Sequence, residues 1–162
     1  MAVAAPFPAA AVPSVELTVR GIIPPSCEIL SNVSGLDLGN ISRAGRETAD
    51  VSFSCNTPFV VNLSSENGRL ERTAQRTAGN FQNALDYQAS LRVPLDNGRV
   101  LRIRECDSEE LLNGGACANA SSESQTAINK TASLAVKWSD SIEPLLAGDY
   151  SDVITIRVEF AP

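Results

Sequence analysis

The sequence contains no histidine and few aromatic residues, with one tryptophan, two tyrosines and five phenylalanines in 162 residues. Without histidine, the usual Ser-His-Asp and Cys-His forms of nucleophilic catalysis are excluded, together with the commonest metal ligand. No G-x-G-x-x-G or P-loop pattern is present, so nothing indicates a nucleotide-binding fold. We therefore expect a protein that is not an enzyme and that uses no cofactor or metal.

Acidic residues are the remaining candidates for chemistry. One group lies in polar stretches, where a solvated surface is a simpler interpretation than the carboxylate pair of a glycosidase. Two aspartates flank a tyrosine near the end of the sequence, where turn formation explains them more simply than a calcium loop does. The residues concerned are Asp107, Glu109, Glu110 and Glu123 in the first group, and Asp149 and Asp152 in the second.

Long apolar runs and basic clusters are also missing. No run of about 18 apolar residues exists, so we expect no membrane insertion. Thirteen basic residues against nineteen acidic ones give a net charge of −6, which disfavours nucleic acid and anionic membranes as partners and favours proteins. The segment Met1–Ser14 has three prolines and no basic region, so we expect an extended or disordered tail rather than an intact signal peptide.

The four cysteines are Cys27, Cys55, Cys106 and Cys117, with no Cys-x-x-Cys pair. Two disulfides are the simplest account, and three pairings are possible from sequence alone. Proximity favours the sequential pairing, Cys27 with Cys55 and Cys106 with Cys117. Disulfides indicate an oxidising compartment, the periplasm or the outside of the cell, whereas the alternative is four reduced thiols in a cytosolic protein.

Glycine, proline, asparagine and serine separate short apolar segments throughout the chain, a pattern that predicts one all-β sandwich domain. The residues from Gly148 to Pro162 alternate so regularly that they predict a strand, with one apolar face. A second alternating segment, Val15–Ile23, predicts another strand near the start. These two strands could pair with each other in one closed sandwich, or each could pair with another chain.

The segments between them predict the rest of the sandwich. A turn at Asp96–Gly98 contains Asn-Gly, a strong hairpin signal. The predicted strands are Cys27–Leu30, Leu36–Gly39, Ala49–Cys55, Phe59–Leu63, Leu85–Val93, Val100–Arg104 and Ser133–Trp138. The predicted polar connections are Arg43–Glu47, Ser64–Asn83 with at most one short strand, Cys106–Cys117 and Ala118–Lys130.

Taken together, the sequence resembles the pilin subunits of bacterial chaperone–usher pili, particularly those of the archaic, spore coat U-like branch. The resemblance covers nearly the whole chain. Its most specific parts are the alternating segment before Cys27, the spacing from Cys27 to Cys55, and the run Gly148–Asp152 followed by Val153–Phe160. The sequence departs from the commonest pattern by placing Ala161 and Pro162 after the aromatic Phe160.

The resemblance implies an incomplete immunoglobulin-like sandwich, completed by a donor strand from a neighbouring subunit or from a chaperone. It implies an N-terminal extension with the donor strand at residues 1–23 and a pilin domain at residues 24–162. The donor side chains would be Val15, Leu17, Val19, Gly21 and Ile23. The acceptor groove and chaperone edge would comprise Gly148, Tyr150, Ile154, Ile156, Val158 and Phe160.

The resemblance also implies a function and a location. The chain would be a structural subunit of a surface pilus (fimbria), polymerising by donor-strand exchange and supporting adhesion and biofilm formation. Its partners would be neighbouring pilin subunits, a periplasmic chaperone and an outer-membrane usher, and it would pass through the periplasm to an extracellular pilus.

The alternative is a closed, monomeric, secreted β-sandwich with an adhesive or lectin-like role. Five Asn-x-Ser/Thr sequons fit that class, although several are expected by chance in a chain so rich in asparagine and serine. They begin at Asn32, Asn40, Asn62, Asn119 and Asn129.

Overall fold

The computed structural model describes residues 15–31, 34–74 and 79–161. These residues form an almost entirely antiparallel β structure, which confirms the predicted all-β class. Neither helix in the described residues is long enough to cross a bilayer. The elements are β1 (Cys27–Ile29), β2 (Gly45–Cys55), β3 (Phe59–Ser65), β4 (Leu70–Arg72), β5 (Ala84–Leu85), β6 (Tyr87–Pro94), β7 (Val100–Asp107), α1 (Ser108–Leu112), a 3-10 helix (Ala116–Ala118), β8 (Asn119–Ser121), β9 (Ala127–Trp138), β10 (Tyr150–Ser151) and β11 (Ile154–Phe160).

The strands form one large sheet and two smaller ones. The large sheet has the order β1-β2-β9-β6-β7, and the smaller sheets have the orders β11-β3-β8 and β10-β4-β5. Every second side chain of β3 is buried, as expected for a strand with one face on the core. Phe53 of β2 and Phe59 of β3 join the two layers, with ring centroids 5.0 Å apart. The apolar core lies between the layers.

Two disulfides link Cys27 to Cys55 and Cys106 to Cys117, which confirms the sequential pairing. The first joins β1 to β2 at directly paired positions. The second closes the loop that contains α1, whose Leu111 is fully buried. In the chain-entropy account, the two closed loops contribute roughly 3–4 and about 3 kcal/mol of stability.

The predicted polar connection Arg43–Glu47 is wrong in its second half, because β2 begins at Gly45. Gly45 pairs with Trp138 of β9, and a side chain at position 45 would collide with the Trp138 ring. The indole N–H of Trp138 donates to the carbonyl of Arg43 at 2.7 Å. Pairing with a distant strand, rather than local alternation, therefore sets the start of β2.

The predicted polar stretch Ala118–Lys130 is also wrong, because β8 lies inside it and β9 begins at Ala127. The β9 ladder with β2 extends to the pair Cys55–Ala127 across a register shift. Asn129 adopts a φ of 50° at this irregularity, a conformation that asparagine tolerates better than most residues. With this irregularity, β9 continues through residues whose polarity does not alternate.

Two further segments differ from prediction, and two agree with it. Leu36–Gly39 is not a strand, because its Asp37 side chain accepts a hydrogen bond from the backbone N–H of Gly39 at 2.8 Å and forms a turn. Leu85–Val93 is split into β5 and β6, and Ser64–Asn83 contains β4, in line with the one short strand allowed there. The hairpin turn at Asp96–Gly98 is confirmed, with Gly98 at a φ of 82°.

Candidate functional site

Strand β11 lies at the edge of its sheet. It pairs with β3 along its whole length, from Ile154 opposite Ser65 to Phe160 opposite Phe59. On its other side, no strand of the described residues pairs with it. The side chains of Ile154, Ile156 and Val158 are only half-buried, and Phe160 is 54% exposed. The apolar face of the last strand is therefore incompletely covered.

A groove of about 460 Å³ opens beside this edge. One wall is the beginning of β11, and the opposite wall is formed by Ile29 and the segment 34–38. Core side chains form the floor. These floor residues are Ala49, Val51, Leu70, Tyr87, Leu134 and Val136.

The groove continues past the start of β11 into a second cavity of about 340 Å³. Its walls are the segments 35–41 and 148–152, so the two cavities share residues on both sides. Together they form one channel that runs along residues 148–156.

The wall opposite β11 also has unpaired backbone. Within the segment 34–42, the hydrogen bonds are local turns, from the N–H of Gly39 to Asp37 and from the N–H of Ser42 to Asn40. Leu36 and Leu38 nevertheless pack against the core. Within the described residues, the groove is thus bordered on both sides by backbone without a ladder partner.

The predicted strand Val15–Ile23 forms no strand in the structure and makes no hydrogen bond to another described residue. Its apolar side chains are almost fully exposed, with Val15 at 95%, Leu17 at 85% and Ile23 at 86%. Just after it, the Asn56 side chain donates to the Pro24 carbonyl and accepts from the N–H of Ser26. The segment therefore leaves the sandwich from a fixed point and does not pair with β11 of its own chain. Residues Met1–Ser14 lie outside the described residues.

The strand predicted from Gly148 onward is confirmed over Ile154–Phe160 (β11), but its first part is wrong, because the chain leaves the strand at Asp152 and the short β10 precedes it. Oδ2 of Asp152 accepts hydrogen bonds from the hydroxyls of Ser65 (2.6 Å) and Tyr87 (2.7 Å). Oδ1 accepts from the N–H groups of Asn67 (3.0 Å) and Val153 (2.8 Å). Burial, together with the hydrogen bond to Asp152, raises the pKa of Tyr87 above its ordinary value. These four bonds place a half-buried carboxylate at the middle of the channel.

Gly148 and Tyr150 lie where the channel continues beyond Asp152. Gly148 has a φ of 152° and faces the side chain of Arg72, which leaves no room for a Cβ atom. The Tyr150 hydroxyl donates to the carbonyl of Leu146 at 2.6 Å. Of the predicted acceptor residues, Gly148 and Tyr150 line the second cavity and Ile154 and Ile156 line the first, whereas Val158 and Phe160 line neither. Gly148 lies in no strand, and Tyr150 belongs to β10, in a different sheet from β11.

Most of the acidic candidates have structural partners. Asp107 accepts a hydrogen bond from Gln88, and Glu123 forms an ion pair with Arg99 at 3.1 Å. Glu110 lies beside Cys106 and Cys117, a combination of residue types seen at metal sites. Because both sulfurs belong to a disulfide, they are not thiolate ligands.

Sequence reasoning missed Asp152 as a groove residue, as well as its partners Ser65 and Tyr87. The only local signal was the pair of aspartates around Tyr150, which was interpreted as a turn. Comparison with known proteins adds no assignment, since no protein-family model matches the chain and no curated protein matches it.

Proposed function

We propose that this chain is a structural subunit of a bacterial surface pilus, polymerising by donor-strand exchange after chaperone-assisted folding. The proposal rests on two features of the same chain. One is the groove beside the unpaired edge of β11, and the other is the exposed segment 15–23, whose alternating polarity is typical of a strand. Residues 15–23 alternate in polarity and are exposed, while β11 has a free edge beside apolar floor residues. The two features are complementary between copies.

Burial of apolar side chains would favour insertion of segment 15–23 into the groove. Burying a Val, Leu or Ile side chain stabilises by about 1.5–3 kcal/mol, so the side chains of Val15, Leu17, Val19 and Ile23 supply a gross gain of roughly 6–12 kcal/mol. New main-chain hydrogen bonds add to this gain, and the ordering of the segment opposes it.

The free edge of β11 is also the feature that supports the proposed partners. An unpaired apolar edge promotes aggregation, so a periplasmic chaperone would lend a strand until a neighbouring subunit replaces it at an outer-membrane usher. Two disulfides agree with passage through an oxidising periplasm to the cell surface. In the assembled pilus, the subunit would support adhesion and biofilm formation.

Deletion of residues 1–23 tests the donor role in the native host. The truncated chain should accumulate in the periplasm bound to chaperone but form no fibres visible by electron microscopy. Fibres composed of truncated chains would overturn the proposal.

A groove variant tests the acceptor role. Ile156→Asp should abolish chaperone capture and lower the periplasmic yield, because it places an unpaired charge on the apolar side of β11. Thr131→Asp, at an exposed position of β9 outside the groove lining, is the control and should retain capture. Equal chaperone capture of both variants would contradict the assignment of the groove as the acceptor site.

A further inference from the structure

Three arginines lie together on the outer face of the large sheet, the face directed away from the core. We propose that Arg92, Arg102 and Arg104 form a binding site for a phosphate or sulfate group, and we call it the oxyanion site. None of the three lines either cavity beside β11, and none belongs to segment 15–23. The oxyanion site is therefore a second function of the chain, separate from donor-strand exchange.

Alternation along β6 and β7 places the first two arginines side by side. Arg92 lies between two buried residues of β6, and Arg102 lies between two buried residues of β7, so both side chains face solvent. The two residues are directly paired across the strands. Side chains at such positions have Cβ atoms about 4.5–5.5 Å apart, so the two guanidinium groups are close enough to bind one ligand.

An irregularity in the ladder adds the third arginine to the same face. The register of β7 against β6 shifts here, so that Arg104 and Glu105 of β7 both lie opposite one residue of β6. The residues on either side of them, Ile103 and Cys106, are buried against the core. Arg104 and Glu105 are therefore both exposed on the outer face, with Arg104 two residues from Arg102.

The carboxylates nearest to the oxyanion site have other partners. Glu105 forms ion pairs with Lys137 at 3.3 Å and with Arg46 at 4.0 Å. Asp107 accepts a hydrogen bond from the side chain of Gln88 at 2.8 Å. Both acidic groups are thus directed towards cations or donors on the side of the face away from the three arginines' own row.

The three arginines form no ion pair with any residue that the structure describes. Asp50 is in the same cross-strand row, because it pairs with Ser133 and Ser133 pairs with Arg92. It lies two strands from Arg92, however, and forms no ion pair within the described residues either. Like charges directly opposite each other destabilise a ladder, so an anion bound between the arginines would relieve their repulsion.

The chemistry of the side chains indicates the class of anion. A guanidinium group presents its N–H donors as a planar fork that matches the oxygens of an oxyanion. A carboxylate has only two oxygens, whereas a phosphate group offers three strong acceptor oxygens, so it can accept from three arginines at once. The hydroxyls of Ser90 and Ser133 lie on the same face, half-buried beside the arginines, and are further donors.

The negative charge of the whole chain does not prevent anion binding at this face. The net charge is −6, but charges at the surface act over only about 8 Å at physiological ionic strength. The closest groups therefore set the local potential, and here three of them are guanidinium groups. Because the arginines come together only when β6 pairs with β7, the composition of the chain does not reveal this patch.

Titration of the full-length chain with inorganic phosphate tests the site. The arginine Nε–H signals are followed by nuclear magnetic resonance at constant ionic strength, with sodium chloride replacing phosphate. The signals of Arg92, Arg102 and Arg104 should shift in a saturable manner. Arg92→Gln and Arg102→Gln should each weaken Kd by up to about five-fold, the range of exposed ion pairs, and their combination should weaken it further.

Arg157→Gln is the matched control. Arg157 is likewise an exposed arginine of a strand without an ion pair in the described part of the chain, but its cross-strand partner is Asn62 rather than another arginine. This substitution should leave Kd unchanged. As a second readout, phosphate should raise the Tm of the unmodified chain more than that of the variant with both Arg92→Gln and Arg102→Gln.

A phosphate or sulfate group could reach the site free in solution or on a polysaccharide, and a second probe separates these sources. Labelled dextran sulfate is titrated with the same proteins and followed by fluorescence anisotropy, with unsulfated dextran as its control. Binding of inorganic phosphate that is lost in the double variant supports a free anion as ligand. Binding of dextran sulfate alone, lost in the same variant, supports groups on a polymer.

Two results would overturn the oxyanion site. One is the absence of saturable binding of both probes to the unmodified chain. The other is equal binding to the unmodified chain and to the double variant, which would place the anions elsewhere on the surface. Either result would leave the groove beside β11 and its proposed function untouched.

Discussion

Replacing Leu17 with alanine should weaken binding between copies without destabilising a single copy. Leu17 is 85% exposed, so its truncation opens no cavity in the isolated chain. In the groove, the same side chain would contact the apolar floor. Removal of three carbon atoms at about 0.8 kcal/mol each gives a loss of about 2.4 kcal/mol, or about 50-fold in Kd at 1.4 kcal/mol per factor of ten.

Fluorescence anisotropy with labelled peptides measures this effect directly. The peptide spans residues 13–24, and the acceptor is the full chain carrying Leu17→Asp and Val19→Asp, which prevent its own segment from entering a groove. The Leu17→Ala peptide is compared with the unmodified peptide. Thr18→Ala, on the opposite face of the segment, is the matched control and should change Kd by about two-fold at most.

Equal affinities of the Leu17→Ala and unmodified peptides would refute the reasoning, as would an equal loss from Thr18→Ala. Stability of the full-length chain is the second readout. Leu17→Ala should leave its unfolding free energy unchanged, whereas Leu63→Ala, at a fully buried position, should lower it by about 2–5 kcal/mol. Similar losses from both substitutions would show that Leu17 packs within its own chain.

Two further predictions concern the hydrogen bonds of the carboxylates of Asp152 and Asp96. Tyr87→Phe removes a donor to Asp152 and should lower the unfolding free energy by about 1.5–3 kcal/mol in urea titrations. The pKa of Tyr87 is raised in the folded state. Its contribution to the free energy of unfolding is therefore present below the unfolded pKa of about 10 and should be lost as the pH rises above that value. The same loss of stability at high pH in the Tyr87→Phe variant would contradict this. Bonds from Thr126 and then Lys130 lower the pKa of Asp96, so its stabilisation is present above about pH 3.9 and is lost as the pH falls towards the folded value. Asp96→Asn should therefore reduce the acid dependence of stability, and an unchanged dependence would contradict that role.

Local patterns predicted the features that depend on neighbours in sequence. Alternation identified the core-facing residues Val51 and Phe53, and Asn97-Gly98 identified the hairpin, because strand faces and turns are set within a few residues. Cysteine spacing gave the correct disulfides, since each pair is close along the chain. The all-β class followed from many such short signals.

Features that depend on distant contacts were not predictable. The start of β2 at Gly45 depends on Trp138 of another strand. Asp152 finds its hydroxyl partners Ser65 and Tyr87 at separations of 87 and 65 residues, and no local pattern indicates such partners. The free edge of β11 follows from strand order, which alternation alone does not specify.

Hydrogen exchange measured by mass spectrometry tests the central claim most directly, namely that the groove of one copy binds segment 15–23 of another. In isolated chains, the amides of residues 15–23 should exchange as fast as those of an unfolded peptide, because they make no hydrogen bond to any other residue that the structure describes. In assembled material, the same amides should become protected together with the free edge of β11. Protection of residues 15–23 in the isolated monomer, or full exposure of the segment in the assembled state, would contradict the account.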